Sequence, residues 1–212
     1  MDTLITDFHI HSKYSHDSLS SPENILKKAK KVGLERIAIT DHGTIRGSIE
    51  TQKLAKNFNI EVIIGSEVKT DCGDIIGLYL NDEIKATKWE DVVSEIQSQG
   101  GISILPHPYR EHQHIIIHQI AQKVDFIEAW NSRSNGDENK GAQFLANVHK
   151  KKITCGSDAH CLSEIGLVKV SENLNHYLIQ GSSTLKQTIS LNIKKSRAIS
   201  IMKKKIRHYP FI

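Results

Sequence analysis

Short apolar runs recur along the chain with helical patterns between them. The runs are Leu4-Ile5-Thr6-Asp7-Phe8-His9-Ile10, Arg36-Ile37-Ala38-Ile39-Thr40, Val62-Ile63-Ile64-Gly65, Ile102-Ser103-Ile104-Leu105, Phe126-Ile127-Glu128-Ala129-Trp130 and Ile153-Thr154-Cys155. Runs this short and rich in β-branched residues predict strands. Residues 74–80 read as an extra strand pairing with residues 61–69 through the turn Asp71-Cys72-Gly73-Asp74. Ser21 fits an N-cap, with Pro22 at the first helical position, a helix through Lys31 and Gly33 as its stop. Arg46 to Asn57 predicts a second helix. Thr87-Lys88-Trp89-Glu90 resembles a capping box that opens a helix to Gln99, ended by Gly100-Gly101. His114 to Lys123 and Lys140 to Lys150 predict two more. A last helix from Ser182-Ser183-Thr184 to about Lys195 and a strand Ala198–Ile201 complete the pattern. Alternation of this kind predicts an α/β fold with parallel strands, about seven of them, and a single domain over 1–212.

The chemistry sits where these strands end. His9 and His11 bracket one residue, so on a strand both point to the same face, and two adjacent imidazoles can hold a divalent metal. Later strands run into Asp41-His42-Gly43, Ser66-Glu67, Pro106-His107-Pro108, Asn131 and Gly156-Ser157-Asp158-Ala159-His160. In parallel barrels and open α/β sheets, active-site residues occupy the carboxyl ends of strands. One such residue there is ordinary; the recurrence of His, Asp or Glu at five strand ends, Asn131 apart, predicts a metal site. The polar stretches 110–113 and 132–139 follow ligand-bearing strands and are expected to shape the pocket mouth.

Composition narrows the setting. The chain has 212 residues, 38% hydrophobic and 25% charged, as in an ordinary globular protein. No segment approaches the roughly 20 apolar residues of a membrane span. A signal peptide is not apparent, which makes the cytoplasm the default expectation. The cysteines Cys72, Cys155 and Cys161 are odd in number and form no CxxC pair, which argues against a disulfide framework. Cys161 follows His160 directly, and a small buried apolar role suits it better than metal ligation. The net charge of +4 reflects basic runs near the C-terminus, from about residue 194. Such runs can bind nucleic acid, but a solvated face is the preferred reading, and it would still attract a phosphorylated substrate.

The ordered set His9-Ile10-His11, Thr40-Asp41-His42, Gly65-Ser66-Glu67, Pro106-His107-Pro108 and Gly156-Ser157-Asp158-Ala159-His160 resembles the polymerase and histidinol phosphatase (PHP) family. The resemblance implies a distorted (β/α)7 barrel with two or three divalent ions, Zn, Mn or Fe, that hydrolyses phosphate esters. By position it implies that His9, His11, Glu67 and Asp158 hold a first metal. Glu67 would bridge to a second, shared with His107 and Asn131, where relatives often carry a histidine or cysteine. His42 and His160 would hold a third with His16, or with its neighbour and rival Asp17. Glu67, Asp158 and Asp41 are the expected catalytic carboxylates, Asp41 through a hydrogen bond that orients a ligand histidine, since on a regular strand it would face away from the adjacent His42.

Clustered cations neutralise phosphate oxygens and lower the pKa of a bound water, so hydroxide attack on a phosphate ester is the expected chemistry. A cationic side chain should grip the phosphate, with Arg133 first, Arg110 second and Lys13 third. The expected substrate is a small phosphorylated metabolite or nucleotide. An exonuclease or proofreading module is the runner-up. A non-catalytic RNA-binding subunit ranks third, because it would not need to retain these ligands. Aromatic residues make up only 6% of the chain, which disfavours a base-stacking track.

Overall fold

The structure, a computed structural model, describes residues 4–110, 116–168 and 170–171. The expected helix from Ser182, the strand 198–201, the basic C-terminal segment, and His112, His114, His176 and His208 lie outside the described residues.

Strands β1 (Ile5–Ile10), β2 (Arg36–Ile39), β3 (Glu61–Thr70), β4 (Gly73–Leu78), β5 (Ile102–Leu105), β6 (Phe126–Asn131), β7 (Lys152–Gly156) and β8 (Val170–Ser171) form one sheet. Its order is β7-β6-β5-β4-β3-β2-β1-β8. All neighbours are parallel except at β4, which is antiparallel to both β3 and β5, and at β8, which is antiparallel to β1. The sheet curls until the segment after β7 meets β1: His11 N donates to Ala159 O at 2.9 Å. β8 takes the lower part of the same β1 edge, pairing at Ile5 and Thr6. The result is a nearly closed, distorted (β/α)7 barrel.

Helices α1 (Pro22–Lys31), α2 (Arg46–Ala55), α3 (Trp89–Ser98), α4 (Ile117–Lys123) and α5 (Gly136–Val148) surround it. Each buries one apolar face against the strands; Ile25, Leu26 and Ala29 of α1 pack with Ile10, Ile37 and Ile39. The opposite faces of the strands fill the barrel with Ala38, Ile63, Ile76, Leu78 and Ile104, closed below by Phe8 and Phe126. None of the described helices is long and apolar enough to cross a membrane.

Ser21 caps α1 as its sequence requires, accepting from Asn24 N. Two helix starts differ from expectation. At α3 the Thr87 box does not form; Lys88 holds the N-cap position and Asp71 Oδ1 accepts from Trp89 N at 3.0 Å. α5 begins at Gly136 rather than Lys140, because Asn135 and Glu138 make a complete capping box.

Two bulges position the site. Three steps along β1, from Asp7 to Ile10, match two along β2. Two steps along β6, from Glu128 to Trp130, match one along β7. An extra residue changes which side chains face inward beyond it. Phe8 therefore fills the barrel while Ile10 packs against α1, and His9 and His11 turn to the upper rim. On β6, Glu128 and Asn131 reach the same site, although three positions apart on a regular strand would place them on opposite faces.

Candidate metal centre

Four ligand atoms from three chain regions converge at the barrel's upper end. His9 Nε2 lies 3.1 Å from His11 Nε2, 3.3 Å from Glu67 Oε2 and 3.6 Å from Asp158 Oδ1. His11 Nε2 lies 3.2 Å from Glu67 Oε2 and 3.3 Å from Asp158 Oδ1. A tetrahedral ion with ligands at about 2.0–2.1 Å would have ligand–ligand edges of about 3.3 Å. The donor set therefore has the spacing and chemistry of a coordination shell. All four residues are buried.

The outer ring nitrogens are tied back. His9 Nδ1 donates to Glu128 Oε1 at 3.0 Å, and His160 Nδ1 to the Asp158 carbonyl at 2.8 Å. His11 Nδ1 lies 3.0 Å from Ser15 Oγ, which also accepts from His42 N at 2.9 Å. Such partners fix the ring and leave Nε2 for a metal. Glu128 also accepts from His107 N at 3.0 Å, so one buried carboxylate braces two histidines.

Glu67 divides its oxygens. Oε2 faces His9, His11 and His42 Nδ1, the last at 3.3 Å, while Oε1 lies 2.9 Å from His107 Nε2. The ligand atoms of Glu67, Asp74 and His107 all lie within 4.8 Å of one another, as do those of His11, Asp17, His42 and His160. Two site residues hold positive φ, His107 at 29° and Asp158 at 53°, a backbone strain that the surrounding packing must sustain.

Burial works to raise the Glu67 carboxyl, but the charge on His9 and bonds from His107 and His11 hold it well below the usual range. Asp158 is likewise held down against burial, first by the Arg110 charge and then by His9. Burial lowers His9 and His11, but the carboxylates overcome it, raising His9 well above its ordinary value and His11 to about 9. Burial pushes His160 down, with the His11 charge adding to it. Buried carboxylates without a cation thus recruit protons onto imidazoles.

Residues 7–203 match the PHP domain family. The chain belongs to that family. It is 31% identical over 214 residues to the uncharacterized protein MJ0417 of Methanocaldococcus jannaschii, an alignment covering 94% of this chain and 82% of that protein. MJ1587 of the same organism is 53% identical over 114 residues, 49% of this chain and 67% of that one. A two-domain protein from Bacteroides vulgatus, containing a predicted PHP-like metal-dependent phosphoesterase, shares the fold at TM-score 0.63 and 24% identity. That alignment covers 74% of this chain and 52% of the other, so this chain spans about half of the two-domain protein.

Within this PHP domain the structure brings together His9, His11, Glu67, Asp158, His107, His42 and His160 as the strand-end pattern expects. Five residues sit differently from expectation. Asp17, not His16, joins His42 and His160: its Oδ2 is 2.8 Å from His160 Nε2 and 3.5 Å from His42 Nε2. His16 instead lies outside these atoms, its ring centroid 5.0 Å from that of His42. Asn131 does not offer its oxygen to the cluster. Oδ1 accepts from Arg110 Nη1 and Arg133 N, and Nδ2 donates to Glu128 and Asp158.

The Asp41 carboxylate does not orient a ligand histidine; it accepts from Ser12 N at 2.6 Å and Ser12 Oγ at 2.7 Å, pinning the loop after β1. Gly47 packs so closely there that a Cβ would strike Asp41 Oδ2. Lys13 is exposed, with Nζ 5.5 Å from the Tyr14 ring centroid. Cys161 is half-buried, with Sγ 3.1 Å from Ser163 Oγ, so it is neither a ligand in these clusters nor a small apolar filler.

Glu128, Asp74, Ser15 and Glu164 were missed by the strand-end pattern. Glu164 Oε2 accepts from His160 N at 2.8 Å, and its Oε1 lies 3.7 Å from Arg133 Nε. The signal was a charge set in or against an apolar run, visible for Glu128 within residues 126–130 and for Asp74 just ahead of Ile75-Ile76.

Proposed function

We propose that the chain is a metal-dependent phosphoesterase acting on small, polar phosphate esters with two or three divalent ions. The observation that carries this reading is the shell of His9, His11, Glu67 and Asp158 opening onto a cavity of about 550 Å³ lined by Arg110, Arg133 and Lys69. Divalent ions bound there would offset phosphate charge and activate a water. The residues of the chain supply the rest. Glu67, with an oxygen toward each histidine group, is suited to bridging. Asp158 is steadied by Arg110 Nη2 at 2.7 Å and by the Asn131 amide.

Arg133 lies near the buried Glu164 and faces the cavity, where its planar fork can take two phosphate oxygens. Arg110 is committed to Asp158 and Asn131, so its first duty is positioning that ligand. No Phe, Tyr or Trp of the described residues lines this cavity; its rings are the imidazoles of His16, His42 and His160. Sequence-tolerant nucleic-acid channels rely on aromatic stacking, so a compact ester fits better than a strand.

The test follows phosphate release from sugar phosphates, nucleotides and histidinol phosphate, and mononucleotide release from short oligonucleotides, by metal-reconstituted protein. Turnover of at least one small ester, abolished by chelator, is expected. Metal-loaded protein that releases phosphate from none of the small esters would overturn the reading, and turnover of oligonucleotides alone would favour the exonuclease.

A further inference from the structure

We propose that Asp74 is the third protein donor of the second metal site, the place the family resemblance gives to Asn131. The inference rests on the metal-centre reading above and deepens it.

Hairpin register puts Asp74 there. Glu67 on β3 pairs directly with Ile76 on β4, and Lys69 pairs with Asp74. Paired residues share a face, and residues two apart on a strand share it too. Ile76 fills the barrel interior, so Glu67 and Asp74 are diagonal neighbours on the inward face. β4 runs antiparallel, so its first residues, not its last, lie at the barrel's upper end. Asp74 is 6% exposed, lines the same cavity as Glu67, and its carboxylate lies within 4.8 Å of the ligand atoms of both Glu67 and His107.

Asn131 is engaged elsewhere. Its oxygen accepts from Arg110 and Arg133, and its amide nitrogen faces Glu128 and Asp158. An amide nitrogen has no lone pair to give a metal. Glu67 and His107 thus obtain their third donor from the hairpin, not from β6. Two carboxylates and one imidazole form a harder site than the pair of imidazoles and pair of carboxylates next to it. Mn²⁺ should therefore be better accepted at the second position than at the first.

The test uses full-length protein, stripped and then titrated with Mn²⁺ or Zn²⁺, read by calorimetry and, for Mn²⁺, by the electron paramagnetic resonance of a close ion pair. Wild type should show at least two classes of bound ion and a coupled Mn pair. Asp74→Asn should keep the tight class and lose the coupled signal. Its second-ion affinity should fall by more than the ~10–100-fold typical of losing a supporting residue. Asp74→His should restore the second ion with a preference moved from Mn²⁺ toward Zn²⁺.

Metal-free melting temperatures check that the variants fold. An Asp74→Asn titration identical to wild type overturns the assignment and leaves Asp74 as the cross-strand partner of Lys69. Loss of both ions from a natively melting Asp74→Asn also overturns it. If Asp74→Asn does not fold, Asp74→His decides, and an unchanged Mn/Zn preference counts against the proposal. Wild type that takes up no ion defeats the metal-centre reading itself, a result distinct from any of these.

Discussion

Asn131 donates its amide to Glu128 Oε2 at 2.9 Å, although only three positions separate them on one strand. The bulge in β6 makes that contact, and through it the strand delivers a brace and not a ligand to the cluster. Glu128 accepts simultaneously from His9 Nδ1 and His107 N. Glu128→Gln keeps the shape but removes the charge that holds His9. Metal affinity is expected to fall about 10–100-fold, measured by competition with a chromogenic chelator. An unchanged affinity would show that His9 needs no such partner.

Phosphate recognition should separate the two arginines. A charge-assisted bond contributes roughly 1.5–3 kcal/mol, so Arg133→Ala should lower kcat/KM about ten- to a hundred-fold with metal content intact. Arg133→Lys should recover part, because an ammonium cannot form the two-pronged contact. Arg110→Ala should lower metal content as well as activity, since Arg110 steadies Asp158. Steady-state kinetics beside elemental analysis distinguishes the cases. Normal kinetics for Arg133→Ala would move the phosphate grip to Arg110 or Lys69.

Close packing behind the centre yields a stability prediction. A Cβ on Gly156 would collide with His9 Cβ and approach Glu128 Oε1 to 2.6 Å. Both neighbours are buried, so neither can swing aside cheaply. Gly156→Ala should cost roughly 1–3 kcal/mol, as overpacking usually does, and weaken metal binding together with it. Thermal melting of metal-free and metal-loaded protein checks both; wild-type values in each would mean that β1 and β7 can separate without penalty.

The sequence made the strand-end ligands readable because strand periodicity and chain direction determine where a carboxyl-end residue points. His9, His11, Glu67, His107 and Asp158 follow that rule. Residues placed by other means were not readable in this way. Asp17 lies in a loop with no periodicity, anchored at its start where Asp41 ties Ser12. Asp74 begins an antiparallel strand, where the carboxyl-end rule selects the wrong end. Glu128 and Asn131 share a site only through an inserted residue, which no alternation pattern reports. The helix start at Trp89 depends on Asp71, 18 residues away, in place of the local Thr87.

The protonation of the cluster gives the final prediction. In metal-free protein His11 titrates at about 9, raised by its bonds to Glu67 and Asp158 against the opposing effect of burial. Its unfolded value is about 6.5. A histidine raised in the folded state adds stability that is fully present below the unfolded value and lost as pH climbs through the folded one. Metal-free protein should therefore lose stability between pH 6.5 and 9, by roughly 3 kcal/mol from His11 at 1.36 kcal/mol per pKa unit. His9, raised by the charges of Asp158, Glu67 and Glu128 against burial, acts in the same direction. A metal needs both imidazoles neutral and so competes with these protons. Loading should release protons at neutral pH, and the gain in Tm on loading should widen from pH 6.5 to 9. Melting curves with and without metal across that range test the linkage. A gain that stays constant, with no proton release in unbuffered titration, would mean that the histidines are already neutral and that something other than the carboxylates sets their state.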